Sequence, residues 1–407
     1  MMLKSRFVVP VDGPVMEGGA VLLRDGRIDA VGLAWQLHDD NVTDYGDAVI
    51  CPGFVNAHTH LELSSLAKTV PPSPDFIDWL GRLMEQLHAN PLTRDQIADS
   101  VRMGVKQSVS SGVTTIGDVT REPQWTREVL ASLGVRGVSF GEVIAIGKRR
   151  AKLAPRLREA TRLDHQTQRL RIGISPHAPY TVEPSAMRIC AAAARELQAP
   201  LSIHLAETAA EEAFTRSREG SFATYLQQLG VWDEAIPVSG CSPIELARAT
   251  GLLGARTIVA HANYVSDDDI ATLAQSVAAV AYCPRTHDAF GHVPHRFCAI
   301  LQAGVNVCIG TDSLVSNPSL SVLDELRFLR DRHPDVSPDE LMAMGTLRGA
   351  RALGLEHCAG SLTPGKSADL VVVPLDPSTA AVGWAALLES TEQPIAVYIA
   401  GVLQDSD

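Results

Sequence analysis

Val49-Ile50-Cys51-Pro52-Gly53-Phe54-Val55-Asn56-Ala57-His58-Thr59-His60 is an apolar run that ends on two histidines one residue apart. On a β-strand, residues i and i+2 point to the same side. Both imidazoles therefore project from one side of a strand end, where they can bind one metal ion. A metal there can turn water into a nucleophile at neutral pH. An isolated pair of this kind also suits two loop histidines, so the surrounding chain has to decide.

Working outward, strand and helix patterns alternate. Strand-like runs fall at 54–57, 114–119, 136–144, 170–175, 201–205, 257–260, 277–282 and 306–309. Helical spacing separates them: Phe76, Leu80, Leu83, Met84 and Leu87, then Ile97, Val101, Val105 and Val109, then Val322, Leu323, Leu326 and Leu329. This alternation predicts a (β/α)8 TIM barrel. The absence of a GxGxxG string weakens the dinucleotide-binding version of an open sheet. Gly360 to Ser367 fits a GxxxxGK[ST] string, but it leads into the strand-like Leu370-Val371-Val372-Val373 and not a helix, so it reads as a turn.

The first fifty residues read as β, with Asp25-Gly26 closing a hairpin. The last fifty read likewise, with strands at 368–373 and 396–403. The expected domains are a composite β-sandwich built from 1–52 and 356–407, and a hydrolase barrel over 53–355.

Barrel chemistry gathers at the C-terminal ends of strands, and polar residues recur at those ends here. They are His58 and His60, Glu142, His177, His204 with Glu207, His261, His287, and Asp312. Three imidazoles, His58, His60 and His204, plus the Asp312 carboxylate make a plausible metal set with room for water. Glu207 lies three residues after His204 and suits a general acid/base. His261 is placed to polarise water or hold a developing alkoxide.

These segments resemble the amidohydrolase superfamily. The matching motifs are Pro52-Gly53-Phe54-Val55-Asn56-Ala57-His58-Thr59-His60, His204-Leu205-Ala206-Glu207, Cys283-Pro284-Arg285, Gly310-Thr311-Asp312-Ser313 and Gly360 through Leu370. The resemblance covers nearly the whole chain. It implies one Zn²⁺ or Fe²⁺ held by His58, His60, His204 and Asp312. Two-metal members use a lysine from the fourth strand, and 170–177 has none. The Pro176-His177-Ala178-Pro179-Tyr180-Thr181 run resembles the adenosine-type deaminases, where the histidine meets substrate. The implied reaction is hydroxide attack at C6 of a 6-aminopurine nucleoside. Glu207 shuttles protons, Asp312 and His261 orient the water, and ammonia leaves. Glu62, Glu85, Glu142 and His287 are further candidate substrate contacts.

His60-Leu61-Glu62-Leu63-Ser64 resembles aminodeoxyfutalosine deaminases of the futalosine route to menaquinone. The methionine and Arg-Gly usual in S-adenosylhomocysteine/methylthioadenosine deaminases are missing. Those deaminases, triazine chlorohydrolases and a non-catalytic assembly relative stay as alternatives.

Composition agrees with a soluble enzyme: 407 residues, 45% hydrophobic and 20% charged. A formal net charge of −12 argues against a nucleic-acid binder. Lys148-Arg149-Arg150 reads as a solvated helix start. Seven scattered cysteines without a CxxC pair point to a reducing, cytoplasmic setting. No signal peptide or membrane span is expected. A homodimer is expected from the resemblance alone.

Overall fold

A computed structural model describes residues 1–404. By packing, the chain forms two compact units. One comprises Met1–Ala57, Val105–Ile116 and Leu320–Asp407; the other comprises His58–Gly104 and Gly117–Ser319.

In the first unit, strands Gly19–Arg24 and Arg27–Leu33 pair through Asp25 and Gly26, at φ 51° and 73°. Two consecutive left-handed residues match the twist of an antiparallel hairpin, which is why an Asp-Gly pair stands there. Strands from both chain ends share one sheet: Ala48–Pro52 runs antiparallel to Leu370–Pro374. Leu3, Val21, Ile50, Leu370 and Val372 bury together in its core. The single strand expected at 396–403 is a hairpin of Ala396–Ile399 and Val402–Leu403. Ala400 and Gly401 turn it with φ 49° and 76°. Gly360 to Ser367 is a turn, whose Lys366 ammonium donates to its own loop at the Ala359 carbonyl and Ser361 Oγ. The last three residues of the expected 356–407 segment lie outside the described residues.

The barrel is an eight-stranded parallel sheet in chain order. Its strands are β1 Phe54–Thr59, β2 Val113–Thr120, β3 Arg136–Val143 and β4 Leu170–Pro176. They continue as β5 Leu201–Leu205, β6 Thr257–His261, β7 Ala279–Tyr282 and β8 Asn306–Ile309. The strand expected from 277 begins two residues later because Val277, at φ 54°, caps the preceding helix. The β8 end reaches back to β1: Thr311 and Asp312 N–H both donate to the His58 carbonyl, at 3.0 and 3.1 Å. Gly310 permits that approach, since a Cβ there would lie 2.9 Å from both Cys283 Sγ and His58 Cβ.

Arg127 is the largest fully buried side chain of the barrel unit. Its guanidinium donates to the carbonyls of Ser139, Ala160 and Gly173 at 2.9 to 3.1 Å, and more loosely to those of Glu159 and Arg162. Burial lowers its pKa to about 10. A planar guanidinium with five donors can satisfy more backbone acceptors at once than the three donors of a lysine. It thereby ties β3, β4 and the helix Leu153–Ala160 together.

Helix Phe76–Ala89 starts where the Asp75 side chain accepts from the Asp78 N–H. Its apolar face buries Phe76, Trp79 and Leu83. Phe76 and Trp79 pack edge-on to Phe290 at 5.2 and 4.8 Å. Pairs of this kind add about 0.5–1.5 kcal/mol each beyond area burial. Among the described residues, no helix is long and apolar enough to cross a membrane.

Candidate active site

The ends of β1, β5, β6 and β8 converge on one cluster. Ligand nitrogens of His58, His60 and His204 lie within 4.8 Å of one another. Nε2 of His60 and His204 are 3.3 Å apart. Asp312 Oδ1 stands 3.4 Å from His60 Nε2 and 3.9 Å from His58 Nε2. Second contacts orient these groups: His204 Nδ1 donates to the His177 carbonyl at 3.1 Å, so its Nε2 is left for the cluster. Ser316 Oγ donates to Asp312 Oδ2 at 2.7 Å.

His58 is 0% exposed, and neither of its ring nitrogens has a hydrogen-bond partner. An orphaned buried imidazole is costly, and a metal ion satisfies it. Burial lowers the pKa of His60 to about 4 and of His204 to about 3, and pushes His58 well below its usual value. All three are therefore neutral, the form that ligates. Three imidazoles and one carboxylate fit a single divalent transition metal. Among the described residues no second such group exists.

Beside the cluster, His261 Nε2 lies 3.5 Å from Glu207 Oε1. Burial raises the Glu207 pKa well above the carboxylate range, reinforced by the negative charges of Asp312 and Glu211. Burial lowers that of His261. Burial thus favours the acid form of Glu207 and the neutral form of His261. The backbone there is unusual: Ala206, His261, Ala262 and Asp312 all adopt left-handed φ, between 52° and 73°. Non-glycine residues in that region cost about 1–3 kcal/mol each and gather at functional sites.

His60, His204, Glu207, His261 and Asp312 line a cavity of about 1100 Å³, counting its open mouth, while His58 lies buried behind them. Leu63, Phe76, Trp79, Leu80, Leu83, Met84 and Leu87 form an apolar wall, and Arg121 and Arg149 supply cations. His177 faces the cavity. Its Nδ1 is hydrogen-bonded to Thr181 Oγ1 at 2.6 Å, and that hydroxyl also reaches the Ala178 carbonyl at 3.1 Å. Its Nε2 stands 3.8 Å from Glu142, which also lines the cavity.

Three expected substrate contacts are elsewhere. Glu62 is buried, and its oxygens accept from Thr120 Oγ1 and the N–H groups of Arg121 and Glu122. It braces the β2 end. Glu85 is exposed on helix Phe76–Ala89, off the face that lines the cavity. His287 Nε2 is engaged by the Val293 carbonyl at 2.9 Å, away from the cavity wall. His295 donates to the carbonyl of His261 at 2.9 Å and helps hold that strained residue.

The 148–150 cluster does sit at a helix start, with Lys148 exposed, but its arginines are engaged. It lies in a three-ten turn, Gly147–Lys152, in which Arg150 pairs with Glu183 at 2.7 Å and with Asp233 at 2.5 Å. Gly147 is left-handed (φ 54°), and a Cβ there would lie 2.2 Å from the Val231 carbonyl. The pinned turn presents Arg149 to the cavity. Arg121 and Glu211 carry no local motif, so periodicity could not single them out, and the basic run around Arg149 gave no sign that it faces the cavity.

A parallel barrel with imidazoles and carboxylates gathered at its C-terminal rim defines the class: a metal-dependent type of TIM-barrel hydrolase. The family model for the amidohydrolase family matches residues 49–403. The chain belongs to that family. It is 31% identical, over 92% of its length and 85% of the other's, to a 5-methylthioadenosine/S-adenosylhomocysteine deaminase of Moorella thermoacetica. Its fold matches the aminofutalosine deaminase of Helicobacter pylori, crystallised with methylthio-coformycin, with TM-score 0.86 and 22% identity. That match covers 99% of this chain and all of the other. It also matches a zinc-bound adenosine deaminase of Xanthomonas campestris with TM-score 0.83 and 24% identity, covering 99% and 92%.

Proposed function

We propose that the chain is a mononuclear metal-dependent deaminase of 6-aminopurine nucleosides. The observation that carries this is Glu207 facing His261 at 3.5 Å beside the His58, His60 and His204 cluster and the adjacent Asp312. Those four residues would hold one Zn²⁺ or Fe²⁺, which when bound acidifies water and stabilises developing negative charge. Glu207, whose burial favours the acid form, gives a proton to the ring nitrogen beside the amino-bearing carbon. Neutral His261 and the Asp312 carboxylate accept protons from the attacking water. A proton passed on through Glu207 lets ammonia leave. The sum is water plus an aminopurine giving an oxopurine plus ammonia. Residues 53–355 would form this hydrolase barrel, and 1–52 with 356–407 the composite β-domain.

The preferred substrate is aminodeoxyfutalosine. Its aryl carboxylate suits a cavity lined both by the apolar Leu80, Leu83 and Met84 and by the cations Arg121 and Arg149. The His60-Leu61-Glu62-Leu63-Ser64 run supports the same choice. A methylthioadenosine/S-adenosylhomocysteine deaminase is the second reading, favoured by the 31% identical relative. Ammonia release from aminodeoxyfutalosine, adenosine, methylthioadenosine, S-adenosylhomocysteine, guanine and a chlorotriazine separates them, with chloride release followed for the triazine. Fastest turnover of aminodeoxyfutalosine is expected. No turnover of any panel member by metal-loaded protein would sink the nucleoside-deaminase reading, and a protein that holds no transition metal and gains nothing from added Zn²⁺ or Fe²⁺ would favour an assembly protein. A cytoplasmic homodimer acting on a small molecule accords with this function.

A further inference from the structure

Glu211 lies in the first turn of helix Ala209–Ser217, is 0% exposed and does not line the cavity. Its two oxygens accept from the N–H of Ala206 at 2.9 Å and of Glu207 at 2.8 Å. A simple capping box would satisfy only the N–H of the N-cap residue, here Thr208. This carboxylate reaches beyond it to the peptides that carry Glu207. Ala206 is left-handed (φ 53°), a conformation that persists in a non-glycine residue only where its surroundings enforce it. On the other side, Asn263 Nδ2 donates to the Glu207 carbonyl at 3.1 Å, and the Tyr264 N–H donates to the Ala206 carbonyl at 2.9 Å. The backbone of Glu207 is thus gripped at both its N–H and its C=O. Its Cα–Cβ direction, and so its reach to His261, follows from that grip.

We propose that Glu211 is a positioning residue that fixes the aim of Glu207 through the backbone, with Asn263 as the opposing clamp. The inference rests on Glu207 being the proton carrier. Losing the grip should misplace one proton donor while leaving the apolar wall and the four candidate ligands intact. Small misplacements of catalytic groups cost turnover and leave binding nearly unchanged.

The test is a double-mutant cycle on the panel nucleoside turned over fastest, with metal content measured for every variant. Glu211→Gln replaces one acceptor oxygen by a donor facing an N–H. It should lower kcat by about 10- to 100-fold, with KM within about twofold and metal content unchanged. In a Glu207→Gln background, followed by single turnover, the same substitution should change the rate less than about twofold, because a misaimed group already lacks its proton. Losses that multiply in the double variant, or a wild-type kcat in Glu211→Gln, would overturn the positioning role. Wild-type turnover in Glu207→Gln would instead overturn the underlying mechanism. Should Glu211→Gln fail to fold, Asn263→Ala loosens the same peptide from the other side. A kcat-selective loss there supports the proposal, and an unchanged kcat refutes it.

Discussion

Glu207 Oε1 and His261 Nε2 face each other across 3.5 Å at the ends of neighbouring strands β5 and β6. Both are buried, and burial drives them in opposite directions: the carboxyl toward its protonated form and the imidazole toward its neutral form. One environment thus biases an acid and a base in the directions that the same reaction needs.

Glu207→Gln keeps the shape of the site but removes the transferable proton. Turnover should fall by about 10²–10⁴-fold, the usual worth of a positioned acid/base. Metal content, measured by elemental analysis, should stay at the wild-type level, because Glu207 is not among the four candidate ligands. Unaltered kcat would remove it from the proton path.

His60→Ala takes one imidazole from the cluster in which its Nε2 stands 3.3 Å from that of His204. Metal affinity should fall by about 10- to 100-fold or more, since even indirect supports of a ligand are worth that much. Activity should fall with occupancy. Full occupancy in this variant would exclude His60 as a ligand.

Arg149→Ala removes a cavity cation while leaving Arg150 tied to Glu183 and Asp233. A hydrogen bond to a charged group is worth about 1.5–3 kcal/mol. KM for a carboxylate-bearing nucleoside should therefore rise by about 10- to 100-fold, with little change for neutral methylthioadenosine. Equal effects on both substrates would separate Arg149 from recognition of the tail.

Asp118 on β2 accepts from the Leu61 N–H at 2.9 Å, and burial raises its pKa to about 7. In the unfolded chain it titrates near 3.9. Between those values the folded state binds the extra proton, so this group's contribution to stability is full below about pH 4 and is lost as pH rises through about 7. Asp118→Asn should remove that dependence. The stability difference between variant and wild type should move in the variant's favour from pH 4 to pH 8 in denaturant titrations. A difference independent of pH would show that Asp118 is ionised throughout.

What the amino-acid order determined by itself was local and periodic. The barrel strands were legible because buried parallel strands are short apolar runs, and their C-terminal ends carry His58, His60, His204, His261 and Asp312 in sequence motifs. Boundaries slipped where a single φ decided them, as at Val277 and at the Ala400-Gly401 turn. Tertiary structure decided what depends on distant partners. Glu62 became a brace because Thr120 and two backbone N–H groups surround it, and Glu85 stayed on the outer side of its helix. Arg149 entered the cavity because Glu183 and Asp233 hold the turn beside it, and Glu211 reached the Glu207 peptide because Ala206 turns left-handed. Period and motif are properties of neighbours in the chain. The partner a polar side chain finds depends on which elements packing brings within about 3 Å of it, and for these residues that was set only by closing the barrel.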